Sequence, residues 1–304
     1  MLRPTGSWVA LITPFTDEDK VDVAGFRRLI DFHARHHTDG IILCGSTGEP
    51  LMLSTDEKHL ILEQVVPYAK GKIPVLIGTT CGSTAETIEL SRYAQQCGAD
   101  GLLLIVPPYS QPPQEAIYRH FRAVAEAVNL PVALYNNPSR VGVNIDADTI
   151  IRLAEIPTIV ADKEAMPNVG QLAAVMRAVG DRISLLCCDA PGYGLIVPTL
   201  ALGGHGTANV AGNVIPEEMA AMSQPLQSYE DLVRTRDMYF RYLPLFKAMY
   251  SVSNPVPIKA AVGLLGLPAG HVRRPLQDMA GEKLRELEAV LDGFALREKY
   301  AAVR

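Results

Sequence analysis

Residues 100–109 read Asp100-Gly101-Leu102-Leu103-Leu104-Ile105-Val106-Pro107-Pro108-Tyr109: a turn pair, an unbroken apolar run, then two prolines. A strand with one face in water alternates apolar and polar residues, whereas a run that is apolar throughout fits a strand covered on both faces. The pattern recurs along the chain. Asp39-Gly40 introduces Ile41-Ile42-Leu43-Cys44, and an aliphatic-proline pair introduces three further runs: Ile73-Pro74 before Val75-Leu76-Ile77, Leu130-Pro131 before Val132-Ala133-Leu134, and Ile156-Pro157 before Thr158-Ile159-Val160. Proline suits the first position of a strand and ends the helix that precedes it.

With runs at 7–12, 184–187 and 206–209 added, strand starts fall near 7, 40, 74, 101, 131, 158, 184 and 206, at intervals of 22 to 34 residues. The segments between them read as amphipathic helices. Val23, Phe26, Leu29, Ile30 and His33 share one face, as largely do Ile88, Ser91, Tyr93, Ala94 and Cys97. Ser54 with Glu57, and Ser83 with Glu86, have capping-box spacing. Buried parallel strands alternating with helices, eight times over, predict a closed (β/α)8 TIM barrel over residues 1–225. Beyond it the strand signal stops. Helical patterns at 229–250, 257–265 and 281–296 predict a C-terminal helical domain over 226–304, punctuated by Asn254-Pro255 and Leu267-Pro268-Ala269-Gly270.

The 304 residues, 48% hydrophobic and 20% charged, are ordinary globular composition, and a chain this long buries roughly 75% of its unfolded surface without needing disulfides. A net charge of −5 gives no global field to hold nucleic acid or an anionic membrane. The longest apolar stretches, 101–108 and 194–202, are too short to span a bilayer, and no secretory leader is evident, so a cytoplasmic location is expected. Cys44, Cys81, Cys97, Cys187 and Cys188 form no Cys-x-x-Cys pair, which predicts reduced thiols rather than a disulfide framework or zinc site.

Barrel enzymes place their chemistry where strands end at the C-terminal face. Those ends are Gly45-Ser46-Thr47-Gly48-Glu49 after strand two, Pro107-Pro108-Tyr109 after four, Tyr135-Asn136-Asn137-Pro138-Ser139-Arg140 at five, and Lys163 at six. Confinement of Lys163 predicts a lowered pKa and a neutral amine able to attack a ketone and form a Schiff base. A lysine snorkelling to solvent beside Glu164 fits the same position. Tyr135 suits proton transfer or an aromatic barrel plug. The Gly-Ser-Thr-Gly loop offers hydroxyls and backbone N–H groups for a carboxylate, and Arg140 offers a bidentate clamp for a second one.

The order and spacing of Gly45-Ser46-Thr47-Gly48-Glu49, Tyr135-Asn136-x-Pro138-x-Arg140-x-Gly142 and Lys163-Glu164-Ala165 resemble the dihydrodipicolinate synthase and N-acetylneuraminate lyase family over nearly the whole chain. The resemblance implies a class I lyase or aldolase that joins pyruvate to an aldehyde through an imine, with no metal and no separate cofactor. It makes Lys163 the Schiff-base residue, Tyr135 the proton shuttle and Ser46 a relay. Thr47 would hold the pyruvate carboxylate, with Gly45 and Ala208 in the same pocket. Tyr109 would reach into a partner subunit's relay, implying a homodimer or homotetramer. Arg140 would receive the carboxylate of aspartate semialdehyde, which favours the synthase branch. A catabolic 2-keto-3-deoxy sugar-acid aldolase or dehydratase, a hydroxyproline-pathway deaminase of the same family, and a non-catalytic 2-oxo-acid sensor are the alternatives.

Several positions depart from that branch. Ser46 replaces a threonine, Pro50 a small polar residue, and Cys187-Cys188-Asp189-Ala190 and Gly206-Thr207-Ala208-Asn209 replace Ser-Gly-Asp-Asp and Gly-x-Ile-Ser. At the positions of the lysine-inhibited enzymes' regulatory pocket stand Leu51, Thr55, Lys58, Gly82, Glu86 and Pro108, of which only Glu86 matches, so no feedback by L-lysine is expected. Two further clusters have double readings. His33, His36 and His37 have metal-ligand spacing or form a solvated helix end, and Gly203-Gly204-His205-Gly206 is a phosphate cradle or a tight turn into strand eight. A thiol at the rim, Cys187 or Cys188, would make activity sensitive to alkylation.

Overall fold

A computed structural model describes residues 2–300. Over these, the strands are β1 Gly6–Ala10, β2 Gly40–Leu43, β3 Val75–Gly78, β4 Gly101–Ile105, β5 Val132–Asn136, β6 Ile159–Glu164, β7 Ser184–Cys187 and β8 Gly206–Asn209. Each pairs in parallel with the next, and β8 returns to β1 with Gly6 opposite Gly206, so the barrel closes as the spacing predicted. The seam is tight. A Cβ on Gly206 would lie 2.1 Å from the Gly6 carbonyl oxygen, at a φ of +153° that side chains avoid.

Strand alternation sorts side chains between two cores. Trp8, Ile42, Leu76, Leu103, Ala133 and Leu186 fill the lumen, while their neighbours, such as Ile41, Leu43, Val75, Leu102 and Leu134, pack outward beneath the helices. The Ser54–Glu57 capping box is complete, with the Glu57 carboxylate on the Ser54 N–H at 2.9 Å and the Ser54 hydroxyl on the Glu57 N–H at 3.2 Å. At Ser83 only half of it forms. Ser83 Oγ caps the Glu86 N–H at 3.2 Å, but the Glu86 carboxylate takes the Ser83 hydroxyl proton at 3.0 Å instead of the backbone N–H.

The C-terminal extension contributes helices Tyr229–Met249, Val256–Leu264, Gly281–Gly293 and Leu296–Tyr300. Its Leu245, Phe246, Met249, Ile258 and Leu291 belong to the same continuous apolar cluster as the barrel's outer face. No helix among the described residues is long and apolar enough to cross a membrane.

The histidine cluster fits neither of its two readings whole: His33 is buried with Nδ1 3.0 Å from Thr38 Oγ1, His36 Nδ1 lies 2.8 Å from a Glu217 oxygen, His37 is exposed, and no group among the described residues is arranged to hold a metal ion. Residues 203–205 lead into β8 at Gly206, at the rim opposite the strand C-termini, and the Gly204 N–H donates to the Thr199 carbonyl at 2.8 Å. That segment is the tight turn.

Candidate active site

Lys163 projects from β6 into the lumen, 4% exposed. Its register partner on β5 is Tyr135. Strand twist brings Lys163 Nζ to 4.2 Å from the Tyr135 ring centroid, on the face where the ring's negative quadrupole meets a cation. Lysine snorkelling to solvent is thereby replaced by a buried amine at the floor of a chamber of about 250 Å³ lined by Ser46, Thr47, Arg140, Tyr193 and Ala208.

The Gly45-Ser46-Thr47-Gly48-Glu49 stretch folds as a single 3-10 turn, Ser46–Gly48, closed by a Gly48 N–H bond to the Gly45 carbonyl at 2.8 Å and ended by Glu49 in the left-handed region. Thr13 on the end of the first strand's loop donates to the Gly48 carbonyl at 2.7 Å and holds the turn against the barrel rim. Ser46 is thus partly exposed to the chamber while Thr47 is buried behind it. Arg140 stands on the short helix Pro138–Val141, and its Nη2 donates to the Asn254 carbonyl at 3.2 Å. Gly45 lines a second, more apolar chamber of about 230 Å³, which shares Ser46, Tyr135 and Arg140 with the first.

Burial acts on Lys163, Tyr135, Cys188 and Asp189, but not always to the expected end. It pulls the Lys163 ammonium down, yet Tyr135, Cys188 and Asp189 as anions pull harder upward, so its pKa is raised rather than lowered. This corrects the expectation from confinement alone. The thiol of Cys188 is itself pushed up to about 11 by burial, and burial also raises the Tyr135 phenol against the pull of Lys163. Burial pushes the Asp189 carboxyl up as well, against the hydrogen bonds it accepts. Asp189 is held by Tyr250 Oη at 2.6 Å and by the Val210 and Ala211 N–H groups at 2.9 and 2.8 Å.

Of the residues singled out in the sequence, Lys163, Tyr135, Ser46, Thr47, Arg140 and Ala208 meet in one chamber and Gly45 adjoins it. Tyr109 does not join them. It is 98% exposed with φ 78° and is not among the residues that line the chamber. Cys187 points outward into the core beneath the helices, and Cys188 faces the chamber. Leu51, Thr55, Lys58, Gly82, Glu86 and Pro108 line a further cavity of about 750 Å³, which shares Leu51 and Pro108 with the Gly45 chamber.

Other participants were not legible. Asn254, read only as helix punctuation, donates from Nδ2 to Thr47 Oγ1 at 3.1 Å and accepts from Arg140 at its carbonyl, so it joins the two. Asn137, in a motif position with no assigned role, donates to Tyr135 Oη at 2.7 Å. Glu49 forms a fully buried pair with Lys259 at 2.6 Å. Neither partner carries a sequence signal of the other, since contacts between a barrel loop and a distant helix leave no periodicity.

The model of the dihydrodipicolinate synthetase family matches residues 3–293. A 4-hydroxy-tetrahydrodipicolinate synthase of Syntrophotalea carbinolica is 41% identical over 294 residues, covering 96% of this chain and 98% of its own. The structure of dihydrodipicolinate synthase from Cyanidioschyzon merolae with lysine bound superposes with a TM-score of 0.91 at 36% identity, covering 97% of this chain and 100% of that one. A monomeric dihydrodipicolinate synthase variant superposes with a TM-score of 0.89 at 29% identity, covering 96% and 97%.

Proposed function

The chain belongs to the dihydrodipicolinate synthetase family, and from that premise and the geometry of its chamber we propose that it condenses pyruvate with aspartate semialdehyde through an imine at Lys163. It is a lyase of the class I aldolase type. The observation that carries the finer proposal is the buried Lys163 amine set against Tyr135, in a chamber that Ser46, Thr47 and Arg140 also line.

The chemistry follows from that placement. Once deprotonated, Lys163 Nζ attacks the C2 ketone of pyruvate, and the carbinolamine loses water to give an iminium. Tyr135, with Ser46 beside it, donates the proton that lets water leave. The iminium draws electrons from the neighbouring methyl group, whose lost proton leaves an enamine. The enamine carbon then bonds to the aldehyde carbon of the second substrate, and the new alkoxide takes a proton. Thr47 and the N–H groups of its turn hold the pyruvate carboxylate. Arg140 presents its guanidinium to the carboxylate of the aldehyde, where a fork of donors fixes orientation as well as charge.

Tyr109 completes this scheme only from a neighbour, so the working unit is a homodimer or a pair of dimers with Tyr109 of each subunit at the other's chamber. A fully active monomer in sedimentation velocity contradicts that assembly. The further cavity around Leu51, Thr55 and Lys58 does not take L-lysine with micromolar affinity, and calorimetry checks it.

Turnover decides the substrate. Activity with pyruvate and aspartate semialdehyde is expected to exceed that with any 2-keto-3-deoxy sugar acid in kcat/KM by about 100-fold or more. The reverse order assigns the enzyme to sugar-acid breakdown, and an imine with turnover of neither assigns it to sensing.

A further inference from the structure

Asn137 lies between β5 and the helix Pro138–Val141, at φ −142° and ψ 82°, outside the helical region that the following proline disfavours. An asparagine there would ordinarily cap the helix it precedes. This one makes no capping bond, is 5% exposed, and turns its amide back toward the chamber. Both ends of the amide are used. Nδ2 donates to Tyr135 Oη at 2.7 Å, and Oδ1 accepts from Ser139 Oγ at 2.6 Å. Ser139 Oγ in turn lies 2.7 Å from the hydroxyl of Tyr193, another residue of the chamber wall.

The two orientations open to this amide have opposite chemistry. With Oδ1 toward Tyr135, the amide would accept the phenol's proton and withdraw it from any transfer. With Nδ2 toward Tyr135, as the bonds are arranged, the phenol oxygen is an acceptor and its own hydrogen must point elsewhere. A Tyr193 hydroxyl that donates to Ser139 leaves the Ser139 hydrogen for Oδ1, which locks the second orientation.

We propose that Asn137 is a positioning residue that sets the direction of proton transfer through Tyr135, by donating to the phenol oxygen so that the phenol's hydrogen turns to Ser46. The same bond steadies the phenolate left when that hydrogen departs. Burial raises the Tyr135 phenol, Lys163 draws it back, and Asn137 and Ser46 add to that pull. The amide belongs with the proton relay and has no part in binding the carboxylates. This assignment rests on Lys163 as the imine residue, and its test separates the two.

The test compares wild type with Asn137→Val, Asn137→Asp and Ser139→Ala, each checked for folding by its Tm. Tyr135 is titrated by ultraviolet difference spectroscopy, each protein against the same protein carrying Tyr135→Phe, which needs no substrate. In Asn137→Val the phenol is expected to ionise about one pH unit higher, and kcat to fall about 10-fold with the KM for pyruvate within about twofold. Asn137→Asp, which turns an acceptor on the phenol, is expected to lower kcat about 100-fold. Ser139→Ala, which unlocks the amide, is expected to shift the titration in the same direction by less and serves if Asn137→Val does not fold. An unchanged titration in the folded variants, or a loss confined to KM, overturns the proposal. Borohydride trapping of wild type with pyruvate is run alongside. A Lys163 adduct with an unmoved titration sinks Asn137 alone, whereas no adduct sinks the imine and leaves the titration to judge the hydrogen bond.

Discussion

Glu49 and Lys259 pair carboxylate to ammonium at 2.6 Å, with their side chains 0% and 1% exposed, across 210 residues of sequence. Glu49 ends the turn that carries Ser46 and Thr47, and Lys259 stands on the C-terminal helix Val256–Leu264, so the pair joins the extension to that turn. The second Glu49 oxygen accepts the Arg273 N–H at 2.8 Å, and Lys259 Nζ sits 4.0 Å from the Phe15 ring centroid. Burial pushes Lys259 down to about 8 against the pull of Glu49.

Removing one charge from such a pair leaves the other buried and unpaired, which costs about 3–5 kcal/mol, whereas replacing both can be close to neutral. Lys259→Met is therefore expected to lower the urea midpoint sharply, and Glu49→Gln with Lys259→Met to recover at least half of the loss. A Lys259→Met protein that unfolds at the wild-type midpoint contradicts the role given to the pair.

His33 makes a second stability prediction, this time in pH. Burial first, and the charge of His36 second, hold its pKa down to about 3 in the folded protein, against 6.5 when unfolded. The unfolded chain thus binds the extra proton between these values, so the stability His33 contributes is complete above about pH 6.5 and is lost as pH falls toward 3. At pH 5 the difference is on the order of 2 kcal/mol. Asn in its place keeps a partner for Thr38 without the titration, so His33→Asn is expected to lose less Tm than wild type between pH 6.5 and 4.5. Parallel acid limbs for the two proteins would count against it.

Cys188 faces the chamber beside Tyr135 and Lys163 but is 7% exposed, with a thiol pushed up to about 11 by burial. The thiolate is the nucleophile, so its share grows about tenfold per pH unit below that value. Inactivation by iodoacetamide is expected to be slow at pH 7, to quicken through pH 9, and to be slowed by pyruvate. Peptide mapping identifies the modified residue. Fast, pH-independent loss of activity, or no protection by pyruvate, contradicts the placement of Cys188 in the chamber wall.

The barrel was legible because its strands are covered on both faces: Leu102-Leu103-Leu104-Ile105 has to be apolar at every position, and the Asp-Gly and aliphatic-proline pairs mark where each strand begins. The site was legible where chemistry and strand position coincide. Lys163 and Tyr135 fall at the same level of adjacent strands with side chains to the lumen, a relationship that alternation and strand ends both specify. Electrostatic outcome was less so. Confinement alone predicted a lowered Lys163, because the balance against Asp189, Cys188 and Tyr135 depends on distances that only the closed barrel sets. Asn254 and Lys259 escaped notice for a related reason: their partners, Thr47 and Glu49, are brought to them by the docking of the extension on the barrel rim. Tyr109 was singled out yet lies outside its own chamber, since a single chain offers it nothing to touch there.

The central claim is that pyruvate becomes covalently bound to Lys163, and borohydride trapping reads it directly. Protein incubated with pyruvate and sodium borohydride, then measured by intact mass and peptide mapping, is expected to gain one reduced pyruvyl group per subunit on the peptide containing Lys163, and Lys163→Ala is expected to gain none. Wild-type protein that acquires no adduct, or acquires it at another lysine, contradicts the account.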